Sequence, residues 1–503
     1  MQKLNFDGCY LAHYTDRIHG RELVLRSHMD AWPFFYCIEG DKVIFSDDFY
    51  ALVSRFKELT LNRDSIADYF EAGWNNIIKW DRTPFKEIHM LPAWTYITDE
   101  GVKSWKKLDS SIKFTEHNLE EFKRSFFECT DYYLKKVHDN YGKVIFSVSA
   151  GMDSTTLAAR YVKLYPENDA VFYTSKIDDV TDESGLALKM ESVLHKPVRL
   201  VNLKTNTFNY LELLKKHIDK NLPPRFNGLI NEGILCDELF NNGLNMPDVN
   251  GMGADGRFGE FGGEYLYLMR ELLADFKITK AYRVYKAVMI SFIGFDYEKY
   301  GETGLIVKFL LMLLRKAAGK IKRKLFRKHN TDTLEPGLLK ISLPPFASSM
   351  NHKHKDAIEY ASQSGEVRDI NIEFSKRGIK AFFPYAGYRL YELSAACDPF
   401  IFSDGKNKAC VRYASADLLP QEIINNVKKK GNPAMTLQKA LNSNNNLDTI
   451  MKYVKSRESR IVNTEKLYGN LMSSSYGQKE FLSLCLLIFE EKITEQMGIT
   501  INV

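Results

Sequence analysis

Up to about residue 100, short β-branched and aromatic runs such as DKVIFSD and AWTYITD are separated by turn residues, which predicts a strand-rich N-terminal region. From about 115 the period changes. In LEEFKRSFFECTDYYLKKVHDNY the apolar positions Phe122, Phe126, Tyr133, Leu134 and Val137 recur at helical spacing. An apolar strand, KVIFSVSA, comes next, then a helix, STTLAARYVKLYP, and a strand, AVFYTSK. A helix ESGLALKMESVLH, a strand VRLVNLK and a helix NYLELLKKHID continue the alternation. Strands alternating with helices of ~10–15 residues predict βαβ units around a parallel sheet. From about 265 onward the pattern is mainly helical and ends in an apolar helix near FLSLCLLIFEEKI. No internal repeat or low-complexity tract interrupts it.

Composition narrows the class. The 503 residues allow two to four domains at ~150 residues each. With 45% hydrophobic and 26% charged residues, a disordered chain, a collagen-like repeat and a small disulfide scaffold are excluded. Sixty-nine basic against 64 acidic residues leave a net charge of +5, too little to mark the whole chain as a nucleic-acid binder. The cysteines Cys9, Cys37, Cys129, Cys236, Cys397, Cys410 and Cys485 include no C-x-x-C pair, so reduced, mostly buried thiols are expected. The N-terminal MQKLNFDGCY lacks the apolar centre of a signal peptide. The longest apolar run, Gly304 to Leu314, is broken by Lys308 and falls short of the ~20 residues a membrane span needs. A soluble, cytoplasmic chain is expected.

Ligands of parallel sheets bind beyond the carboxyl ends of the strands, which directs attention to the loop after KVIFSV. Ser149-Ala150-Gly151-Met152-Asp153-Ser154 there combines small residues, which let a backbone approach a polyphosphate, with the start of a helix. Ser149 and Ser154 add hydroxyls, and Asp153 can hold magnesium on the phosphates. The alternative is a plain strand-to-helix turn with Ser154 as N-cap. About 100 residues later the strand MPDVN runs into Gly251-Met252-Gly253-Ala254-Asp255-Gly256-Arg257-Phe258-Gly259, a second glycine-dense loop with one acid. A triphosphate needs its charge neutralised from more than one side, so two facing aspartates are sensible chemistry. Here the alternative is a flexible loop in which Asp255 caps a turn.

Together these loops resemble the asparagine synthetase family, whose synthetase domain is a PP-loop ATP-pyrophosphatase fold. Ser149 to Ser154 match the family's S-G-G-x-D-S, with Ala150 at the first glycine. Gly251, Gly253, Asp255, Phe258 and Gly259 match G-x-G-x-D-E-x-F-G-G, with Gly256 where the family has glutamate. Asp182-Glu183-Ser184 resembles its D-E-S segment, and Lys408 with Arg412 resembles its K-x-x-x-R. Leu419-Pro420 with Lys429-Lys430-Gly431 resembles L-P…K-K-G, while Pro384-Tyr385-Ala386-Gly387 stands where P-F-L-D is expected.

The family's glutaminase half is expected to be truncated. Gln2 stands where full members carry the cysteine nucleophile. Phe6-Asp7-Gly8-Cys9-Tyr10, the segment His28 to Tyr36 and Ile44 to Asp47 still resemble that domain's last part. Cys9 falls mid-strand and is a poor substitute nucleophile. The resemblance thus implies an α/β chain in three parts. Residues 1–110 form a β-rich, truncated glutaminase-like domain, and 115–450 an ATP-binding synthetase domain with a helical basic insert near 303–330. A helical extension, 451–503, packs on the synthetase domain.

The resemblance implies an ATP-dependent, AMP-forming amide ligase. A substrate carboxylate attacks the α-phosphate of ATP, pyrophosphate leaves, and an amine or ammonia displaces AMP. Asp153 and Asp255 would hold Mg2+. Ser149, Ala150, Gly151, Met152, Asp153, Ser154, Gly251 and Gly253 would surround ATP and pyrophosphate. Lys408 and Lys429 are the candidate catalytic residues for the developing charge, Lys429 alternatively being one of a solvated lysine run. Relatives without a functional glutaminase, such as β-lactam synthetases and lasso-peptide cyclases, set intramolecular cyclisation beside amidation of a sugar acid for surface polysaccharides. The expected partners are a carboxylate-bearing small molecule, sugar or peptide and an amine or ammonia donor, with a separate glutaminase or pathway protein as a further option. No nucleic acid is expected, since neither loop has the cysteine that tRNA thiolation would require. Met252 stands where relatives carry a residue able to take a proton, and Gly256 removes another acid, so an ATP-binding pseudoenzyme or assembly partner is the alternative.

Leu305 to Lys328, LIVKFLLMLLRKAAGKIKRKLFRK, carries eight basic residues in its last fourteen positions. Without them the chain would carry −3. The stretch reads either as a packed apolar segment with a solvated basic face, or as an amphipathic helix for an anionic lipid surface or acidic ligand.

Overall fold

In the computed structural model the described residues are 11–16, 21–28, 32–40, 42–71, 83–98, 101–104, 111–177, 184–203, 209–223, 228–259, 262–291, 296–325, 340, 366–426, 441–442, 446–473 and 477–503. In chain order the strands are β1 (Leu11–Asp16), β2 (Arg21–Arg26), β3 (Phe35–Glu39), β4 (Lys42–Ser46), β5 (Glu58–Thr60), β6 (Ile88–Met90), β7 (Thr95–Thr98) and β8 (Gly101–Ser104). After a long helix come β9 (Ile145–Ser147), β10 (Val171–Ile177), β11 (Val198–Leu203), β12 (Asp248–Val249), β13 (Ala381–Phe382) and β14 (Thr500–Asn502). DKVIFSD forms β4 and AWTYITD forms β7, in two antiparallel sheets ordered β1-β2-β7-β8 and β4-β3-β6.

A mixed α/β architecture is built around a five-stranded sheet ordered β11-β10-β9-β12-β13, parallel throughout. Its side chains alternate between faces, as the two-residue period of a strand requires. Ile145 and Tyr173 enter one core; Phe146 and Phe172 enter the other. Helices Leu119–Tyr141 and Met152–Leu164 cover the Phe146 face, while Tyr210–Ile218, Gly228–Asn241 and Glu366–Lys376 cover the Ile145 face. A sheet buried on both sides explains why these strands read as continuous apolar runs.

Local chemistry accounts for the elements. Helix Leu119–Tyr141 buries Phe122, Phe126, Phe127, Thr130, Leu134 and Val137, a stripe with helical repeat, and stops at Gly142, whose φ of 61° no β-carbon resists. The helix expected across ESGLALKMESVLH is instead two short pieces, Ser184–Leu188 and Glu191–Leu194, joined by a turn in which the Met190 side chain is buried. Core packing at Met190 overrides the propensity of the segment there.

The end of the chain joins the N-terminal region. β14 pairs in parallel with β5, and Phe489 of helix Gln478–Glu491 packs on Phe49, Tyr50 and Phe85. Helices Gly262–Ala274, Ile278–Ser291 and Tyr297–Leu325 surround a small core of their own. Among the described residues no helix is long and apolar enough to cross a membrane. Six cysteines among them are free thiols, and Cys9 lies outside the described residues.

Candidate functional site

The strand order reverses between β9 and β12. From β9 the chain passes through helix Met152–Leu164 to β10 on the Phe146 face, whereas β12 is reached through helices on the Ile145 face. Connections leaving to opposite faces open a crevice beyond the carboxyl ends of two adjacent strands, the place where open parallel sheets bind ligands. Both glycine-containing loops lie there.

The first loop is tied to itself. The Ser149 and Ser154 hydroxyls share a hydrogen bond of 2.9 Å, and the Gly151 N–H donates to Ser149 Oγ at 3.1 Å. Thr155 Oγ1 lies 2.8 Å from the Ser149 carbonyl and 2.6 Å from that of Gly151. Gly151, not Ser154, is the N-cap of helix Met152–Leu164, and it provides no side-chain cap. Ser154 therefore sits inside the first turn, and the helix end is left to its backbone N–H groups. Ala150 keeps a negative φ, so its methyl causes no backbone strain, and its carbonyl accepts from Asn426 Nδ2 at 3.2 Å. Met152 is buried in the core beneath the loop.

At Gly251 the second loop packs backbone against backbone on the first. A β-carbon on Gly251 would stand 2.5 Å from the Ser154 nitrogen, so only glycine allows this approach. Gly253 adopts φ +91° beside Ala386 of the Pro384–Ala386 turn. Asn250 Oδ1 accepts the Met252 N–H at 2.9 Å, and the Met252 side chain packs partly against the apolar core. Asp255 opens the short helix Asp255–Phe258.

Lys408 unites the two loops. Its Nζ donates to Asp153 Oδ2 at 2.5 Å and to Asp255 Oδ1. The lysine side chain is 6% exposed, those of Asp153 and Asp255 20% and 36%. Lys408 has φ 54°, a left-handed conformation that costs a non-glycine residue energy and is held by its surroundings. Arg412 supplies much of that support. Its guanidinium donates to the Asn407 carbonyl at 2.8 Å, to Asn407 Oδ1 at 3.1 Å and to the Ile424 carbonyl at 2.6 Å. Lys408 and Arg412 thus have separate jobs: one faces the crevice and the other braces the turn.

Two carboxylates share one ammonium in the crevice. Carboxylates close enough to share one ammonium are close enough to share one divalent cation. No group of three or more His, Cys, Asp or Glu with metal-site geometry occurs among the described residues. That donor set fits magnesium in a phosphate site, where one or two carboxylates act and phosphate and water oxygens complete the octahedron.

Sequence reading missed three contributors. Tyr385 is buried, and its hydroxyl donates to the Asp153 carbonyl at 3.3 Å. Burial, then the nearby Asp153 charge, push its phenol well above the ordinary value, so it stays a neutral donor. The other two are Asn426 and Thr155. A buried P-Y-A-G turn after a strand was the available signal for Tyr385; none marked Asn426. Asp182, Glu183 and the second candidate lysine, Lys429, lie outside the described residues. No family model matches the chain, and no curated protein sequence matches it.

Proposed function

We propose that the crevice binds Mg·ATP and that the protein is an AMP-forming amide ligase of the PP-loop type, resembling asparagine synthetases without their glutamine hydrolysis. The observation that carries this reading is Lys408 bridging Asp153 and Asp255 where the strand order of the parallel sheet reverses. Magnesium held by the two aspartates would neutralise phosphate charge. The chain's own part is to orient and stabilise. The backbone amides after Gly151 and the Ser149 and Ser154 hydroxyls take phosphate oxygens, and the Lys408 ammonium offsets charge on the departing pyrophosphate. A substrate carboxylate oxygen bonds to the α-phosphorus as the α–β anhydride bond breaks. An amine nitrogen then bonds to the acyl carbon, gives up a proton and releases AMP.

Met252 favours a second reading. Its thioether packs against core and cannot take the amine's proton, so ATP binding without amide formation is the alternative. Pyrophosphate release from ATP, assayed over amino acids, uronic acids and acidic peptides, separates the two. The ligase releases pyrophosphate with at least one acid, and Asp153→Asn and Asp255→Asn abolish that release while keeping the fold. Wild-type rates in both variants would sink the site assignment. ATP binding with no release for any acid would favour the alternative.

A further inference from the structure

Helix Tyr297–Leu325 has two unlike sides. Leu305 and Phe309 are buried, Met312 and Leu313 are partly so, and the Phe309 ring packs 5.3 Å from Tyr282 and 5.1 Å from Tyr285 on the neighbouring helix. Ile306, Val307, Leu310, Leu311 and Leu314 stand away from that core, each between 42% and 66% exposed. Their spacing, i, i+1, i+4, i+5 and i+8, runs down one side of a helix. Single exposed leucines are ordinary, but a continuous stripe of five marks a surface with a use.

The charge beyond the stripe identifies its partner. The same helix continues through Arg315, Lys316, Lys320, Lys322, Arg323 and Lys324, and Arg327 and Lys328 come next in the sequence. Acidic residues are absent from Leu305 through Lys328. An apolar stripe on a helix whose sequence goes on through six cations complements a surface that is apolar just below a layer of negative charge. We propose that this helix seats the protein on the face of an anionic lipid bilayer, lying in the headgroup plane with its leucines at the acyl boundary. The helix is too polar to cross. In-plane binding needs only an apolar side and cations. Each cation near such a surface strengthens attachment roughly five-fold, so the basic run suffices for reversible binding.

The test uses the full-length protein and sedimentation with phosphatidylcholine vesicles, either neutral or containing about a third phosphatidylserine. Wild type pellets with the anionic vesicles, little with the neutral ones, and is released as salt rises from ~0.1 to ~0.5 M and the screening length shrinks. Leu310→Ser with Leu314→Ser, and separately the glutamine variants of Lys320, Lys322, Arg323 and Lys324 combined, each weaken binding about ten-fold or more. The replaced leucines face solvent, so circular dichroism and melting midpoint stay at wild-type values. Should the serine variant misfold, the charge variant and the salt dependence of wild type still decide. Three results would overturn the proposal: no binding to anionic vesicles, equal binding to neutral ones, or undiminished binding by a folded variant. A dimer in light scattering that the serine pair splits, without vesicle binding, would assign the stripe to a second copy of this chain.

Discussion

Two charged clusters in this molecule use the same residue types to opposite ends. In the first, Lys408 bridges Asp153 and Asp255 on loops beyond the sheet. In the second, buried between helices, Glu373 receives His217 Nδ1 at 2.7 Å, Lys376 Nζ at 2.8 Å and Arg377 Nη1 at 2.8 Å, and Arg377 also holds Asp237. Lysine and arginine there balance two acids. Burial alone would raise the Glu373 carboxyl, but hydrogen bonding and charge from His217 and Lys376 outweigh it and hold the carboxyl well below its ordinary value. The Glu373 cluster ties three helices together, with His217, Asp237 and Glu373 each on its own helix. The Lys408 cluster instead ties together two loops at the carboxyl ends of adjacent strands. Placement in the fold therefore separates the two more clearly than residue identity does: one lies on loops at a reversal of strand order, the other between helices that cover the sheet.

The largest expected break in this comparison is Glu373→Gln. It leaves Lys376 with no acid and Arg377 with one fewer, in a buried setting, and should cost roughly 3 kcal/mol of stability in urea unfolding. Pyrophosphate release by the folded fraction should be unchanged. Acid sharpens the point. Because the folded carboxyl titrates below the unfolded value of 4.5, its contribution is full above that value and is lost as pH falls below it. The stability gap between wild type and Glu373→Gln should therefore shrink between pH ~5 and ~3. A gap that is constant or widens toward acid would show that the carboxylate charge is not what stabilises this cluster.

Lys408→Met should behave the other way round. Under the proposed function, loss of one preorganised cation at the phosphates should cost about a hundred-fold in turnover, ~2.7 kcal/mol. Stability should fall less than in Glu373→Gln, because Asp153 and Asp255 are partly hydrated. Unchanged turnover would move Lys408 into the structural class. The smallest effect belongs to Tyr385→Phe, which removes the hydroxyl's long hydrogen bond to the Asp153 carbonyl and its interaction with Thr156. It should lower the unfolding free energy by about 1 kcal/mol and slightly raise the KM for ATP. A larger loss in turnover than in stability would place Tyr385 among the residues acting on substrate.

Much of the parallel-sheet unit was legible because its signals are local. KVIFSVSA, AVFYTSK and VRLVNLK are runs of strand length; β9 and β11 lie within the first and last, and β10 runs one residue past the second. Gly151 before Asp153, and glycines on both sides of Asp255, likewise announce close backbone approach, and at Gly251 the contact is real. Ser154 reads as an N-cap in one alternative because a hydroxyl near a helix start is ambiguous to within a turn. The broken helix at Met190 was not visible, since side-chain burial there depends on neighbours distant in the chain.

The amino-acid sequence by itself determined the alternation of strands and helices, the two glycine loops with their aspartates, and the charge asymmetry of residues 305–328. Each arises from chemistry acting over a few residues: period, turn conformation and charge density. Only the tertiary structure decided that β9 and β12 are neighbours, that Lys408 reaches Asp153 across 255 positions of chain, and that Ile306 and Leu310 face outward while Leu305 and Phe309 do not. Strand order and helix docking are set by how whole apolar faces pack together, and no local window of sequence contains both partners of such a contact.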